Sequence, residues 1–355
     1  MVQNQGLIFK KIPNGMPVAG QDLTVESREF DLESPPPVGG FVTKNLYASY
    51  DPYMRSRMSP PGKSFYRGSF ELDKPISSFV IAKVLKSDSP AYLEGQLVVG
   101  LLPIEEYSIV SKENLDSNFD QTQIQPIQNP KNVDLVNFIG ALGMPGLTAY
   151  SSLYEIGKPK KGETIFVSAA SGAVGQLVGQ FAKREGLRVI GSVGSDEKLD
   201  FILKELKFDG GFNYKREKSA DALKRLAPGG IDIYYENVGG EQLEAALDVI
   251  NRFGRIIACG MISEYNKLDH ERYAIKNLIL TIPKSLTLRG FLVSDPDLAP
   301  KYFEERNKNV TEWISDGSLI TKTCITDGIK YADKGFVGML QGKNFGKAVL
   351  KIADA

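Results

Sequence analysis

Gly172 and Gly175 lie in AASGAVGQLVG, residues 169–179, directly after the apolar run TIFVS. In a turn from strand to helix, a glycine at the first of these positions lets the backbone approach a pyrophosphate. A glycine at the second lets the helix pack close to its strand. The helix N-terminus then offers N–H groups and a partial positive charge to phosphate oxygens. Ala170 stands where the usual G-x-G-x-x-G spelling has its first glycine, and alanine is accepted there if that turn does not demand a positive φ. Ala173 and Val174 complete the turn. The ligand that suits this chemistry is a dinucleotide, and the competing reading is close helix packing with no ligand.

The end of the next strand selects the dinucleotide. An NAD site commonly carries an acid there to bond the ribose hydroxyls. This chain reads GSVGSDEK, and the strand tip, Gly194–Ser195, has no carboxylate. A 2′-phosphate fits at such a tip, and Lys198 one turn on can neutralise it. Asp196 and Glu197 read as residues that stabilise a helix N-terminus. Tyr214, ending the third strand, either donates its hydroxyl to the same phosphate or packs as an edge aromatic. Tyr53 follows a proline turn in DPYMR and either lines a pocket or packs, with Asp51 and Arg55 read as an ion pair fixing that turn. Tyr265, in SEYN, stands just past the fifth strand, at the end of the sheet where ligands bind.

These residues need a scaffold of alternating strands and helices. TIFVSAA reads as a buried strand, and Val174, Leu177, Val178, Phe181 and Ala182 recur at helical spacing up to Gly186. LRVIGSV is a second strand, followed by a helix with Leu199, Ile202, Leu203 and Leu206 on one face. GFNY, IDIYYENV, RIIACGM and TLRGFLV read as further strands. Residues 219–227 and EQLEAALDVINRFG read as the helices between them. Such alternation implies right-handed crossovers and a parallel sheet. Thirteen of the 19 prolines fall in residues 1–130, which suits a loop-rich β domain. After Ser294 the alternation stops. A helix with Val310, Trp313 and Ile314, then KTCIT, GFVGML and KAVLKI, read as a return to the first domain.

The chain of 355 residues is long enough for two domains. Lys+Arg and Asp+Glu both number 43, so nothing draws it in bulk to nucleic acid or an anionic membrane. The N-terminus lacks a signal-peptide core, and no apolar stretch is long enough to span a bilayer, so a cytosolic location is expected. With only Cys259, Cys324 and His270, disulfide scaffolds and zinc ribbons are excluded, and nothing in the spacing suggests a catalytic zinc. Both cysteines read as core residues, and His270 as a surface or loop residue.

Taken together the motifs resemble the zinc-free medium-chain dehydrogenase/reductase superfamily, in its leukotriene/prostaglandin reductase and plant double-bond (alkenal) reductase branch. The matching blocks are DPYMRSRM (51–58), GMPGLTAY (143–150), AASGAVG (169–175), GSDEK (194–198), FNYK (212–215), DIYYENVGGE (232–241), CGMISEYN (259–266) and GMLQGKNFGKAV (338–349). The first fifty residues and loop 59–70, which shape the pocket, depart from the family pattern. The resemblance implies an α/β fold in which a doubly wound Rossmann sheet is inserted into a GroES-like β-rich domain. The expected boundaries are 1–130 for the catalytic domain, 131–305 for the NADP-binding domain and 306–355 for the C-terminal return. A cleft between the domains would hold NADPH and substrate, in a homodimer.

The resemblance also assigns roles. Ser195, Lys198 and Tyr214 would bind the 2′-phosphate, and Gly172, Ala173, Val174 and Gly175 would form the pyrophosphate turn. Asn237 would lie near the cofactor ribose. The backbone of Phe291, Leu292 and Val293 would hold the nicotinamide carboxamide, and Asn344 would reach the cofactor from the returning segment. Tyr53 and Tyr265 would be the pocket tyrosines. The implied reaction is metal-free reduction of the carbon–carbon double bond of an α,β-unsaturated aldehyde or ketone, by hydride transfer from NADPH to the β-carbon. Tyr265 would be the donor to the carbonyl oxygen. A quinone reductase, and a non-catalytic NADPH-binding protein, are the alternatives.

Overall fold

The computed structural model describes residues 1–64, 68–117 and 124–354, so the centre of loop 59–70 lies outside the described residues. The chain forms two units, Met1–Gly140 with Thr323–Ala355, and Ala141–Lys322.

The first unit is built on mainly antiparallel sheets, with Thr323–Asp327 pairing parallel to Lys347–Lys351. Phe41–Ser49 runs through the larger one, paired with Ser77–Ser87 on one side and Lys347–Lys351 on the other. N-terminal and C-terminal segments of the chain thus share one sheet, while Val2–Phe9 lies in a second one with Leu23–Phe30. Leu97–Pro103 alternates half-exposed and buried residues, the pattern of a strand with one face on a core. That core gathers Leu7, Phe9, Tyr50, Met54, Phe336 and Leu350.

The second unit carries a six-stranded parallel sheet among the described residues. In chain order its strands are β1 (Thr164–Val167), β2 (Arg188–Val193), β3 (Gly210–Asn213), β4 (Ile231–Glu236), β5 (Ile250–Ala258) and β6 (Thr287–Gly290). The spatial order is β3-β2-β1-β4-β5-β6, the doubly wound arrangement whose switch point lies between β1 and β4. Aromatic rings lock the sheet centre. Phe166 stacks on Tyr234 at 4.9 Å and on Phe212 at 5.9 Å, each pair contributing about 0.5–1.5 kcal/mol beyond its buried area. Helix Gly175–Arg184 lies close because Gly179 has no side chain; a Cβ there would meet the Phe208 ring at 1.8 Å.

The structure corrects several expectations. The unit boundaries fall at 140/141 and 322/323, where the sequence suggested 130/131 and 305/306. The turn Leu135–Ile139 stays with the first unit because Val136 and Ile139 pack with Leu46, Ile81 and Val349. Helix Ala299–Ser315, assigned above to the return segment, belongs to the second unit. Its Trp313 packs on Tyr150 and Phe181, and the Arg184 guanidinium lies over the indole. The helix expected to continue through Gly254 ends at Val249. Ile250 is buried against Ile231 as the first residue of β5, and Phe253 takes a left-handed φ of +64° that no helix accommodates. The helix after β2 widens at Phe201–Glu205 into a π-helical turn, closed by a bond from Leu206 N–H to Phe201 C=O. Cys324 is partly exposed rather than core, Cys259 is partly exposed as a residue although its thiol is buried, and His270 is exposed as expected. Among the described residues no helix is long and apolar enough to cross a membrane.

Candidate functional site

The C-terminal ends of β1 to β5 meet in a crown on the second unit. After β1 the chain diverges from its neighbours: Ser168 N–H bonds to Tyr235 C=O on β4, and Ala170 N–H to Ser192 C=O on β2. The positive φ of this turn falls on Ala169, at +48°, and not on Ala170. Alanine at the first glycine position therefore costs no backbone strain. Its methyl occupies the space left by Gly191 on β2, where a Cβ would lie 2.7 Å from the Ala170 Cβ.

Gly172, Ala173 and Val174 line the partly exposed face of the turn, and Gly175 is buried. A Cβ on Gly175 would sit 2.4 Å from Ala169 O, so only glycine lets the helix start so near the strand. Helix Gly175–Arg184 has no side-chain cap. Gln176 N–H bonds to Gly172 O at 3.1 Å, and Leu177 and Val178 N–H to Val174 O at 3.0 Å, so what this helix start offers an anion is the positive end of its dipole and the turn before it.

At the β2 tip, Ser195 caps the next helix, its Oγ accepting from Lys198 N–H at 3.3 Å. Tyr214, after β3, bends over this tip. A Cβ on Gly194 would lie 2.8 Å from the Tyr214 hydroxyl, and burial raises that hydroxyl's pKa. Ser195, Lys198 and Tyr214 are therefore brought together by two adjacent strand ends. Asp196 turns to Asn213 and Arg216, which bond its two oxygens at 2.8 and 2.5 Å.

Between β4 and β5, Asn237 is tied to β1. Its N–H bonds to Ser168 Oγ at 2.9 Å and its Nδ2 to Ser168 O at 2.7 Å. The preceding residue, Glu236, has a fully buried carboxylate. Its Oε1 accepts from Tyr234 OH at 2.8 Å, Val238 N–H at 2.6 Å and Gly239 N–H at 2.8 Å, while Oε2 has no hydrogen-bond partner among the described residues. Burial pushes this carboxyl above the ordinary range. Cys259, beside Tyr235, is likewise pushed up by burial, to about 12.

Tyr265 folds back over the end of β5. Its oxygen accepts from Met261 N–H at 3.3 Å and would lie 2.9 Å from a Cβ on Gly260. Beyond β6, parts of the 291–293 backbone are already engaged. Leu292 N–H bonds to Asp295 Oδ2 at 3.1 Å, and Val293 C=O accepts from Ala299 N–H at 3.1 Å. Phe291 lies partly exposed at the start of that turn.

Tyr53 and Asn344 belong to the first unit. Tyr53 precedes helix Met54–Arg57 and packs against the unit's core. Asn344 Nδ2 bonds to Gly346 O at 2.8 Å, so the amide folds onto its own loop. The expected Asp51–Arg55 pair does not form. Asp51 bonds instead to Lys347, and Arg55 donates to Gly15 O at 2.7 Å, because the turn points the two side chains at different partners.

Sequence reasoning missed Glu236, Asn213, Arg216 and Lys347. A signal existed for Glu236, a charged residue closing the apolar run IDIYY. For the others the partners are distant in the chain or ordinary surface residues.

A zinc-binding dehydrogenase family profile matches residues 173–313, and the profile of an N-terminal domain of oxidoreductase matches residues 5–117. The NADP-dependent oxidoreductase RED1 of Cochliobolus heterostrophus is 52% identical over 354 residues, covering 100% of this chain and 99% of its own. The 2-alkenal reductase (NADP(+)-dependent) of Nicotiana tabacum is 43% identical, covering 99% and 98%. The crystal structure of CurA in complex with NADPH from Vibrio vulnificus superposes with a TM-score of 0.86 at 29% identity, covering 99% and 100%. Despite the zinc in the first profile's description, no group of three or more His, Cys, Asp or Glu among the described residues could hold a metal ion.

Proposed function

Since the chain belongs to the medium-chain dehydrogenase/reductase superfamily, in its enone reductase branch, we propose that it reduces the carbon–carbon double bond of α,β-unsaturated aldehydes and ketones. It is an oxidoreductase, and its cofactor is NADP(H). The crown fits that group: an uncapped helix start beside a glycine turn suits the pyrophosphate, and a strand tip without a carboxylate, under the Tyr214 hydroxyl, suits a 2′-phosphate. Gly172, Ala173, Val174 and Gly175 would hold the pyrophosphate, and Ser195, Lys198 and Tyr214 the 2′-phosphate. Asn237 would serve the ribose, and Phe291, Leu292 and Val293 the carboxamide.

When bound, the reduced cofactor supplies the hydride that the β-carbon of the substrate receives. The protein's task is then electrostatic. As the β-carbon is reduced, negative charge gathers on the carbonyl oxygen, and a fixed donor there lowers the barrier; one such donor is worth about 3–4 kcal/mol. Tyr265 is that donor in this reading. The observation that carries it is the placement of the Tyr265 oxygen over Gly260, at the C-terminal end of β5, in the crown that holds the glycine turn. Its acceptance of the Met261 N–H helps to fix the ring. A proton from tyrosine or water completes the α-carbon. Tyr53 and Asn344 keep, in this reading, the pocket and cofactor roles that the resemblance gives them. The reaction needs no metal, and the reading includes a cytosolic homodimer.

The test is NADPH oxidation against a panel of enals, enones and quinones, with chelator present and with product analysis. Saturated aldehydes and ketones are the expected products. Turnover of quinones with enals and enones inert would replace this reading by a quinone reductase, and NADPH binding with the whole panel inert would remove the enzymatic reading.

A further inference from the structure

Asp196 is a carboxylate one residue beyond the β2 tip region Gly194–Ser195, close to where an NAD site keeps the acid that bonds ribose hydroxyls. Left alone, it would repel a 2′-phosphate. Both of its oxygens are held by one turn of chain. Asn213 Nδ2 donates to Oδ1 at 2.8 Å, and the Arg216 guanidinium pairs with Oδ2 at 2.5 Å.

That turn is well determined. Asn213 is 8% exposed and ends β3. Its Oδ1 accepts from Lys215 N–H at 3.1 Å, and its C=O accepts from Arg216 N–H at 2.9 Å and Glu217 N–H at 3.1 Å. The same few residues therefore carry Tyr214, whose hydroxyl lies against Gly194, and Arg216, which covers Asp196. The Arg216 and Asp196 side chains are 73% and 48% exposed, so the pair adds little to the stability of the fold. Its effect is on the local field, within about one Debye length of 8–10 Å.

We propose that the chain Asn213–Asp196–Arg216 is a nucleotide-selecting device: Arg216, acting through Asp196, cancels the carboxylate charge at the adenosine-ribose end and so admits a 2′-phosphate. Arg216 is thus a specificity-determining residue that works through a neighbour. The proposal rests on the NADP(H) reading above.

The test measures binding, not turnover. NADPH and NADH are titrated by fluorescence, and 2′-AMP and 5′-AMP by calorimetry, on wild type, R216A, D196N and the double variant. R216A should weaken NADPH and 2′-AMP about three- to tenfold and leave NADH and 5′-AMP within about twofold. D196N should not weaken NADPH. The double variant should return to within about twofold of wild type for NADPH, since no carboxylate remains to be covered. Equal losses for both nucleotides in R216A would overturn the proposal, as would a double variant as weak as R216A, which would mean direct contact with the phosphate. A wild type with no preference for the phosphorylated nucleotides would overturn the cofactor reading itself, and is seen before any variant is compared.

Discussion

Lys347 Nζ lies 2.9 Å from Asp51 Oδ1, and both side chains are almost wholly shielded from water, at 3% and 4% exposed. The ammonium also donates to Tyr50 O at 2.6 Å, and Ser49 Oγ bonds to the carboxylate. The pair joins the C-terminal strand to the turn that bears Tyr53. Burial lowers the lysine pKa, and the carboxylate opposes that shift. Removing one partner leaves a buried charge, so K347M should destabilise the protein by about 3–5 kcal/mol, and K347M/D51L should recover much of the loss. Chemical denaturation of wild type, K347M, D51L and the double variant checks this. Additive losses would show that the two charges do not support each other.

The two glycines of the cofactor turn should respond differently to alanine. In G175A the new methyl meets backbone at 2.4 Å, which cannot yield without moving the helix, and a loss of about 1–3 kcal/mol is expected. In G172A the nearest atom is Ala169 O at 3.1 Å, so the fold should tolerate it, while NADPH binding falls because the methyl stands on the pyrophosphate side. Melting temperature and nucleotide titration on both variants separate the two effects.

Lys198→Ala should lose about 1.5–3 kcal/mol of NADPH binding and little of NADH binding, as expected for one charge-assisted contact to a phosphate. Equal losses would remove Lys198 from the phosphate site.

Tyr265→Phe should lower kcat by about a hundredfold or more while the Kd for NADPH stays within about twofold, the signature of a donor used chiefly in the transition state. Unchanged turnover would remove Tyr265 from the mechanism.

Glu236 gives a pH prediction. Its folded-state pKa is raised by burial, so between the unfolded and folded values the native state binds the extra proton. Its contribution is therefore complete below the ordinary carboxylate range and is lost as pH rises through the raised value. Relative to wild type, E236Q should gain stability as pH rises from below the ordinary carboxylate range through the raised value, as followed by denaturation across that range. A difference independent of pH would mean that the carboxyl ionises alike in both states.

The reading as a homodimer predicts twice the chain mass of 39.0 kDa in sedimentation. β6 is an edge strand of its sheet, and Ile279, Ile282 and Leu288 nearby are 70%, 74% and 43% exposed. Pairing of two such edges about a two-fold axis would cover them. I282K should then shift the species toward monomer, and an unshifted dimer would place the interface elsewhere.

The sequence by itself determined the alternation of strands and helices, the position of the glycine turn and the absence of a carboxylate from Gly194–Ser195. These are local matters. Apolar spacing sets an element's type, and a glycine marks where backbone must pass closely, whatever lies beyond. Tertiary structure decided what a one-dimensional pattern does not hold. It put the positive φ on Ala169 and fitted the Ala170 methyl into the space at Gly191, a complement between two strands. It gave Asp51 a partner 296 residues away rather than its near neighbour Arg55, and gave Asp196 to Arg216. It laid Ala299–Ser315 on the second unit, because amphipathic spacing shows that a helix face must be buried without saying against which surface. Charges and apolar faces take the partners that three-dimensional proximity offers, and that proximity exists only after the chain has folded.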